Sequence, residues 1–321
     1  MRVLVTAISG DIGHGVGKIL RNAGITSVLV GCDVHNEHPG ELFFDKCEIV
    51  ARADSETYLD GLLQIARRHK VDLIVPTSEP EMRFFLERKI FSAIDGIPLV
   101  LPNDAALTIG FDKLATADFL KKHGMPYPWS QPVSDGLPRN FPCIVKERFG
   151  AGSKNVVLVE EDFAEFYLRS RPKDIWQEYL QPANEEYTCG LYRTLNGETR
   201  TITFKRKLSG GITVYGKVVR DKPEIDALLV RLAEAMDLHG SINAQLMLTS
   251  RGPFIFEINP RFSSTVVFRH LLGFQDVIWS VNERLGDPIP AYFAPANGVA
   301  FYRGTNEIII PSVDGGVANQ S

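Results

Sequence analysis

Neither sign of charge dominates this sequence. Its 35 lysines and arginines against 39 aspartates and glutamates leave a net charge of −4. That balance gives no electrostatic reason to expect a nucleic-acid or membrane-surface partner. No apolar run approaches the length of a membrane span. The chain starts directly on a strand-like segment, Arg2 to Thr6, with no charged and apolar leader ahead of it, so a cytoplasmic location is expected. Cysteine is scarce. Cys32, Cys47, Cys143 and Cys189 lie far apart with no metal or redox spacing, and read as reduced thiols. His35 and His38 share a polar loop, where a solvated loop is a simpler reading than a metal site. There is no internal repeat, and only the tail, Pro311 to Ser321, looks loose.

Two nucleotide fingerprints are also missing. Val3 to Thr6 is a short apolar strand, followed by Ser9 to Gly17 with four glycines. A helix follows with Ile12, Val16, Ile19, Leu20 and Ala23 on one side, then a strand, Val28 to Gly31, ending at Cys32 and Asp33. This order begins a doubly wound sheet. Counted from Gly13 and Gly15, the third glycine of a dinucleotide fingerprint would fall on Lys18; counted from Gly15 and Gly17, on Leu20. A Walker loop fails because Ile19 stands where serine or threonine is required. The segment therefore reads as a tight turn whose helix start can hold a substrate anion.

What is present is globular: 321 residues, 44% hydrophobic and 23% charged, enough for about two to three domains. Ser55 is placed to cap a helix carrying Leu59, Leu62, Leu63 and Ala66. The strand Val71 to Val75 leads to a loop with Glu79, a candidate for substrate contact at a strand carboxyl end; its other reading is the acidic start of a helix. Asn103 is placed to cap another short helix, and Asp112-Lys113 opens one that stops at His123-Gly124. Phe141 to Lys146 then reads as a strand ending in lysine, with a glycine turn, Glu147 to Asn155, before the strand Val156 to Val159. Such a turn lets backbone amides close over phosphates, and Lys146 supplies a point charge; an ordinary hairpin is the alternative.

Ile175 to Leu180 is a further strand, and Glu185 to Leu191 opens an antiparallel sheet with a turn signal at Asn196-Gly197. Lys205, Arg206 and Lys207 precede the glycines at 210 and 211. They face phosphate, or snorkel from an edge strand. The helix Glu224 to Leu238 carries core residues at helical spacing. Two strands end the series. In Ser241 to Thr249, Asn243 and Gln245 share a face; in Phe254 to Arg261, Glu257 and Asn259 do. Closing the hairpin with Thr249 opposite Pro253 sets Gln245 against Glu257 and Asn243 against Asn259. One carboxylate with amide oxygens suits Mg²⁺, which takes one or two protein groups plus water and phosphate. An ordinary polar sheet face is the other reading.

In order, Asp112-Lys113, Phe141-Pro-x-x-Val145-Lys146 with Gly150-Ala-Gly152-Ser153, Gln177-Glu178-Tyr179-Leu180, Glu186-Tyr187, Asn243-Ala-Gln245 and Glu257-Ile-Asn259-Pro-Arg261 resemble the ATP-grasp family. The likeness is greatest to the ATP-binding units of the carbamoyl-phosphate synthase large subunit and related stand-alone ligases. It runs from about Met1 to Arg303.

The resemblance implies an α/β and α+β architecture: a Rossmann-like pre-ATP-grasp domain (1–110), a small lid (111–184) and an antiparallel-sheet catalytic subdomain (185–321). It implies that Lys113 and Lys146 contact ATP phosphates under the glycine loop Gly150 to Ser153, including Gly152. Glu178 with the backbone of Tyr179 and Leu180 would hold adenine, and Glu186 the ribose hydroxyls. Gln245, Glu257 and Asn259 would ligate Mg²⁺, with Mn²⁺ as a substitute, and Arg261 would stabilise the transferred phosphoryl group. Gln245 stands where the family often has a second acid, which leaves the metal number open.

The implied activity is ADP-forming ligation of a small-molecule carboxylate to an amine (or thiol) through an acyl phosphate. A phosphotransferase on bicarbonate or carbamate, and a nucleotide-binding subunit without turnover, are the alternatives. A homodimer is the base-rate assembly.

Overall fold

Leu4 and Val5 are sealed on both faces of β1 (Arg2–Thr6), as an apolar run in a parallel sheet should be. The computed structural model describes residues 1–150, 155–183, 185–209 and 212–304; the expected loop residues Gly152 and Ser153 and the expected loose tail lie outside them. After β1 come α1 (Asp11–Ala23), β2 (Val28–Asp33), β3 (Lys46–Ile49), α2 (Tyr58–Arg68), β4 (Leu73–Val75) and α3 (Glu79–Glu87). The four strands are parallel in the order β3-β2-β1-β4, as the sequence order of strand and helix led us to expect.

The glycine turn after β1 is tight for a steric reason. A Cβ on Gly13 would sit 2.3 Å from the Ala7 carbonyl oxygen and 2.8 Å from its carbon. Both atoms are backbone and cannot step aside cheaply. Gly13→Ala is expected to cost about 3 kcal/mol, read from the urea midpoint of unfolding.

Two expected caps differ. The helix begins at Tyr58 with Thr57 as its flanking residue, so Ser55 stands too far ahead; its hydroxyl accepts from Thr57 N instead. Asn103 does flank α4 (Asp104–Gly110), after the short pair β5 (Ala93–Ile94) and β6 (Ile97–Pro98). Its amide, however, donates to the carbonyls of Met236 and Asp237 rather than capping, which ties this corner to a distant helix end. Asp112 caps α5 (Lys113–Lys122) as expected, accepting from Leu114 N at 2.9 Å.

A second, antiparallel sheet has the order β7-β10-β8-β9. It comprises β7 (Ser130–Pro132), β8 (Cys143–Lys146), β9 (Val157–Val159) and β10 (Ile175–Glu178), with α6 (Ala164–Ser170) against it. Trp176, Val145 and Cys143 form its buried centre.

The third sheet has six strands in the order β15-β14-β11-β12-β13-β16. They are β11 (Glu186–Arg193), β12 (Thr199–Ser209), β13 (Ile212–Val218), β14 (Gly240–Thr249), β15 (Gly252–Asn259) and β16 (Ala300–Tyr302). α7 (Pro223–Ala235) buries Ile225, Leu228, Leu229 and Leu232 against Ile242, Leu246 and Ile255. It stops short of Leu238 because the chain turns left-handed at Asp237 (φ 42°). α8 (Val266–Leu271) and α9 (Asp276–Leu285) follow. β12 lies inside this sheet, so Lys205 to Lys207 do not snorkel from an edge.

The β14–β15 hairpin closes one residue tighter than expected. Thr249 pairs with Gly252, not Pro253, and the ladder then skips Phe256 before setting Gln245 opposite Glu257 and Asn243 opposite Asn259. The expected pairings hold, with a one-residue bulge inside the strand rather than a slip at the glycine.

Candidate functional site

β8 ends in Lys146, and its own alternation turns Ile144 and Lys146 to one face. That face looks across a cavity of about 190 Å³ toward β15. Lys113, Lys146, Gly150, Glu178, Tyr179, Leu180, Glu186 and Glu257 all line it. Residues singled out from the sequence, from Lys113 at one extreme to Glu257 at the other, thus meet at one place.

Lys113, Lys146 and Glu257 bring charge to the cavity lining. Lys146 is 6% exposed, and its Nζ donates to the carbonyl of bulged Phe256 at 3.4 Å. Burial pushes its ammonium down to about 8, nearby Glu257 pulls it back up, and Lys113 pushes it further down. Lys113 Nζ donates to the Gly150 carbonyl at the entry to the glycine turn. Arg148 clamps Asp112 with two hydrogen bonds (2.8 and 2.6 Å). Arg83, from α3, donates to the carbonyls of Phe111 (3.0 Å) and Phe149 (2.8 Å). The approach to the turn is therefore held by cations from two elements, which the sequence did not announce.

The lining also includes apolar Ile144, Leu180, Met247 and Phe256. Glu178 is tied to its own chain: Arg251 donates to one carboxylate oxygen, and Trp129 N to the other at 3.3 Å. Glu186 accepts from Arg206 at 3.2 Å.

Three expected residues stand apart from the cavity lining. Gln245 faces Glu257 across the ladder. Asn259 is buried, with its oxygen 3.4 Å from Arg261 Nη2. Arg261 turns away to pair with Glu79 at 3.3 Å and lines a separate cavity of about 130 Å³. Glu79 is indeed the first residue of α3, so both sequence readings of it describe its position. Its turn is anchored by buried Glu81, which accepts from Thr6 and Tyr58 hydroxyls (both 2.7 Å) and from Ser78. Beside that anchor a crevice of about 670 Å³ opens across the carboxyl ends of the parallel strands.

Compared with known proteins, residues 111–265 match the ATP-grasp domain family. This stretch is similar to an ATP-grasp domain. The fold around it agrees. N5-carboxyaminoimidazole ribonucleotide synthetase from Thermus thermophilus superposes with a TM-score of 0.71 at 19% identity, over 94% of this chain and 81% of that one. A biotin carboxylase–β-γ-ATP complex from Campylobacter jejuni gives 0.70 at 15% identity, over 90% and 72%. In sequence, a carbamoyl-phosphate synthase of Methanobrevibacter smithii is 26% identical over 46% of this chain. The match spans only 41% of that relative's length.

The resemblance implies a divalent cation, and the donor set here fits one. Glu257 is half-buried and, among the described residues, receives no hydrogen bond. Its ladder partner Gln245 brings an amide oxygen from the next strand. Hard oxygen donors with a single carboxylate suit Mg²⁺ when polyphosphate and water complete the shell. No group of three or more His, Cys, Asp or Glu side chains offers a rival centre among the described residues. Among them, too, no helix is long and apolar enough to cross a membrane. The four cysteines are free thiols.

Proposed function

We propose that the chain is an ATP-dependent carboxylate–amine ligase that forms an acyl phosphate and releases ADP and phosphate. The observation that carries this reading is the mixed lining of one cavity. Two lysines, the entry of a glycine turn and a carboxylate that receives no hydrogen bond among the described residues share it with Ile144, Leu180, Met247 and Phe256. A triphosphate with a flat base fits such a lining. On this reading residues 1–110 form the acceptor-side domain, 111–184 the lid and 185–321 the catalytic subdomain, and the crevice beside Glu81 gives room for a second substrate.

The chemistry follows from charge. A carboxylate is a poor electrophile because its oxygen is a poor leaving group, and phosphorylation replaces that group with phosphate. Lys113 and Lys146 hold the phosphates and offset charge as the γ-phosphoryl moves. A cation on Glu257 and Asn259, with Gln245 beside them, would neutralise the remainder. Arg261 reaches the transferred group once it leaves Glu79. Closure of the glycine turn keeps water from the acyl phosphate.

A second reading is supported by the names of the relatives: a carbamoyl-phosphate synthase and a biotin carboxylase suggest bicarbonate as the acid. One experiment addresses both. ADP formation is measured with hydroxylamine and a panel of carboxylic acids, then with bicarbonate, with Glu257→Ala as the control. A hydroxamate with one organic acid supports the ligase. ADP formation with bicarbonate and no hydroxamate supports the second reading. No ADP above the control with any acid makes the chain a binding subunit and sinks both.

A further inference from the structure

We propose that Gln177 selects adenine among the nucleobases by presenting its side-chain oxygen to the exocyclic amine. This rests on the nucleotide reading of the cavity and adds to it the group that reads the base.

The strand register sets the direction of the side chain. Gln177 lies opposite Ile144 in the β8–β10 ladder and opposite Ser130 in the β7–β10 ladder. Cross-strand partners share a face, and Ile144 and Lys146 mark that face as the one lining the cavity. Gln177 is 4% exposed and lines it too.

Hydrogen-bond counting sets which end of the amide is free. Gln177 Nε2 donates to Ser130 Oγ at 3.0 Å, and Ser130 Oγ donates to the Pro128 carbonyl at 3.2 Å. A hydroxyl has one hydrogen. Spent on Pro128, it leaves only lone pairs for Gln177, so the amide nitrogen must point there. A flipped amide would set oxygen against oxygen. Gln177 Oε1 is therefore the free end. Among the described residues it receives no donor, and it is not one of the sealed side-chain polar atoms that lack partners.

The neighbouring carboxylate is already engaged, with Arg251 donating to one oxygen of Glu178 and Trp129 N to the other. Adenine offers a donor at its exocyclic amine, whereas guanine offers an acceptor oxygen at the same position. A fixed acceptor on a side chain that is 4% exposed pairs with the first and faces lone pairs on the second. Leaving a buried polar group unpaired is what makes such discrimination steep.

The test titrates the whole chain with ATP, GTP and purine riboside 5′-triphosphate, which lacks the amine. Wild type should bind ATP at least about tenfold more tightly than the purine riboside analogue. Gln177→Leu should bring the two together, and Gln177→Glu, which keeps an acceptor, should preserve the gap. Ser130→Ala, which frees the amide to rotate, should narrow the ATP-to-GTP ratio. Each comparison is a ratio within one protein, so a partly unfolded fraction cancels; if Gln177→Leu does not fold, Ser130→Ala decides. An unchanged ATP preference in Gln177→Leu, or an unchanged ATP-to-GTP ratio in Ser130→Ala, overturns the proposal alone. Failure of wild type to bind any triphosphate overturns the nucleotide reading, and this proposal with it.

Discussion

Lys146→Met should lower ATP-dependent ADP formation by about 10³-fold, equivalent to about 4 kcal/mol of transition-state stabilisation. The protein should fold as before, because the substitution removes a buried charge and keeps the length of the stem. The reason lies in where the charge sits. An ammonium that is 6% exposed acts through little water, so its attraction for phosphate is weakly screened.

The same burial gives the pH profile. Without nucleotide, burial pushes the Lys146 ammonium down to about 8. Its charge is present below that value and lost above it, so kcat/KM for ATP should fall about tenfold per pH unit on the alkaline side. Bound polyphosphate favours the charged form, so kcat should hold to higher pH than kcat/KM. Lys146→Arg should abolish this alkaline limb, because a guanidinium stays charged. A limb that stays at the same pH in Lys146→Arg would show that another group titrates there.

Glu257→Gln is the second large effect. It should reduce turnover by about 10³-fold and raise the Mg²⁺ concentration for half-maximal rate by at least about tenfold. Chelation with EDTA should stop wild-type turnover, and added Mg²⁺ or Mn²⁺ should restore it. The variant carries a second signature that simple misfolding would not reproduce. Glu257 pulls the Lys146 ammonium up; without it, the residual activity should lose its alkaline limb at a lower pH. Unchanged Mg²⁺ dependence would remove Glu257 from the metal shell.

Glu257 and Asn259 were legible in the sequence because strand alternation is local and polar interruptions of an apolar strand are conspicuous. The pairing with Gln245 and Asn243 was legible too, though by the wrong route. A one-residue-tighter count at the turn and a skipped residue at Phe256 offset each other, and neither leaves a compositional mark. Arg261 shows the other limit. Its motif announces its chemistry, but its partner Glu79 is 182 positions away, and only the fold brings a helix start to that point.

Sheet order is likewise tertiary, which is why an edge position stayed open for β12 in the sequence although it lies inside the sheet. Gln177 was named only as part of a motif and given no role, although it breaks an apolar strand just as Glu257 does. Its meaning depends on Ser130, 47 positions earlier. Ser55 and Asn103 fail as caps for a plainer reason: a favoured residue type near a helix start does not say which neighbour its side chain will take.

With the turn closing at Gly252, an unbroken ladder would set Phe256 opposite Gln245, so the skipped residue is what restores Glu257 to that position. What it adds is a carbonyl outside the ladder, and Lys146 takes it, together with an aromatic ring 5.7 Å from that nitrogen. Excising the single codon for Phe256 would let the ladder run unbroken with Glu257 still opposite Gln245, and would strip the lysine of its docking point. One deletion would thus alter the seat of the lysine and spare that of the carboxylate.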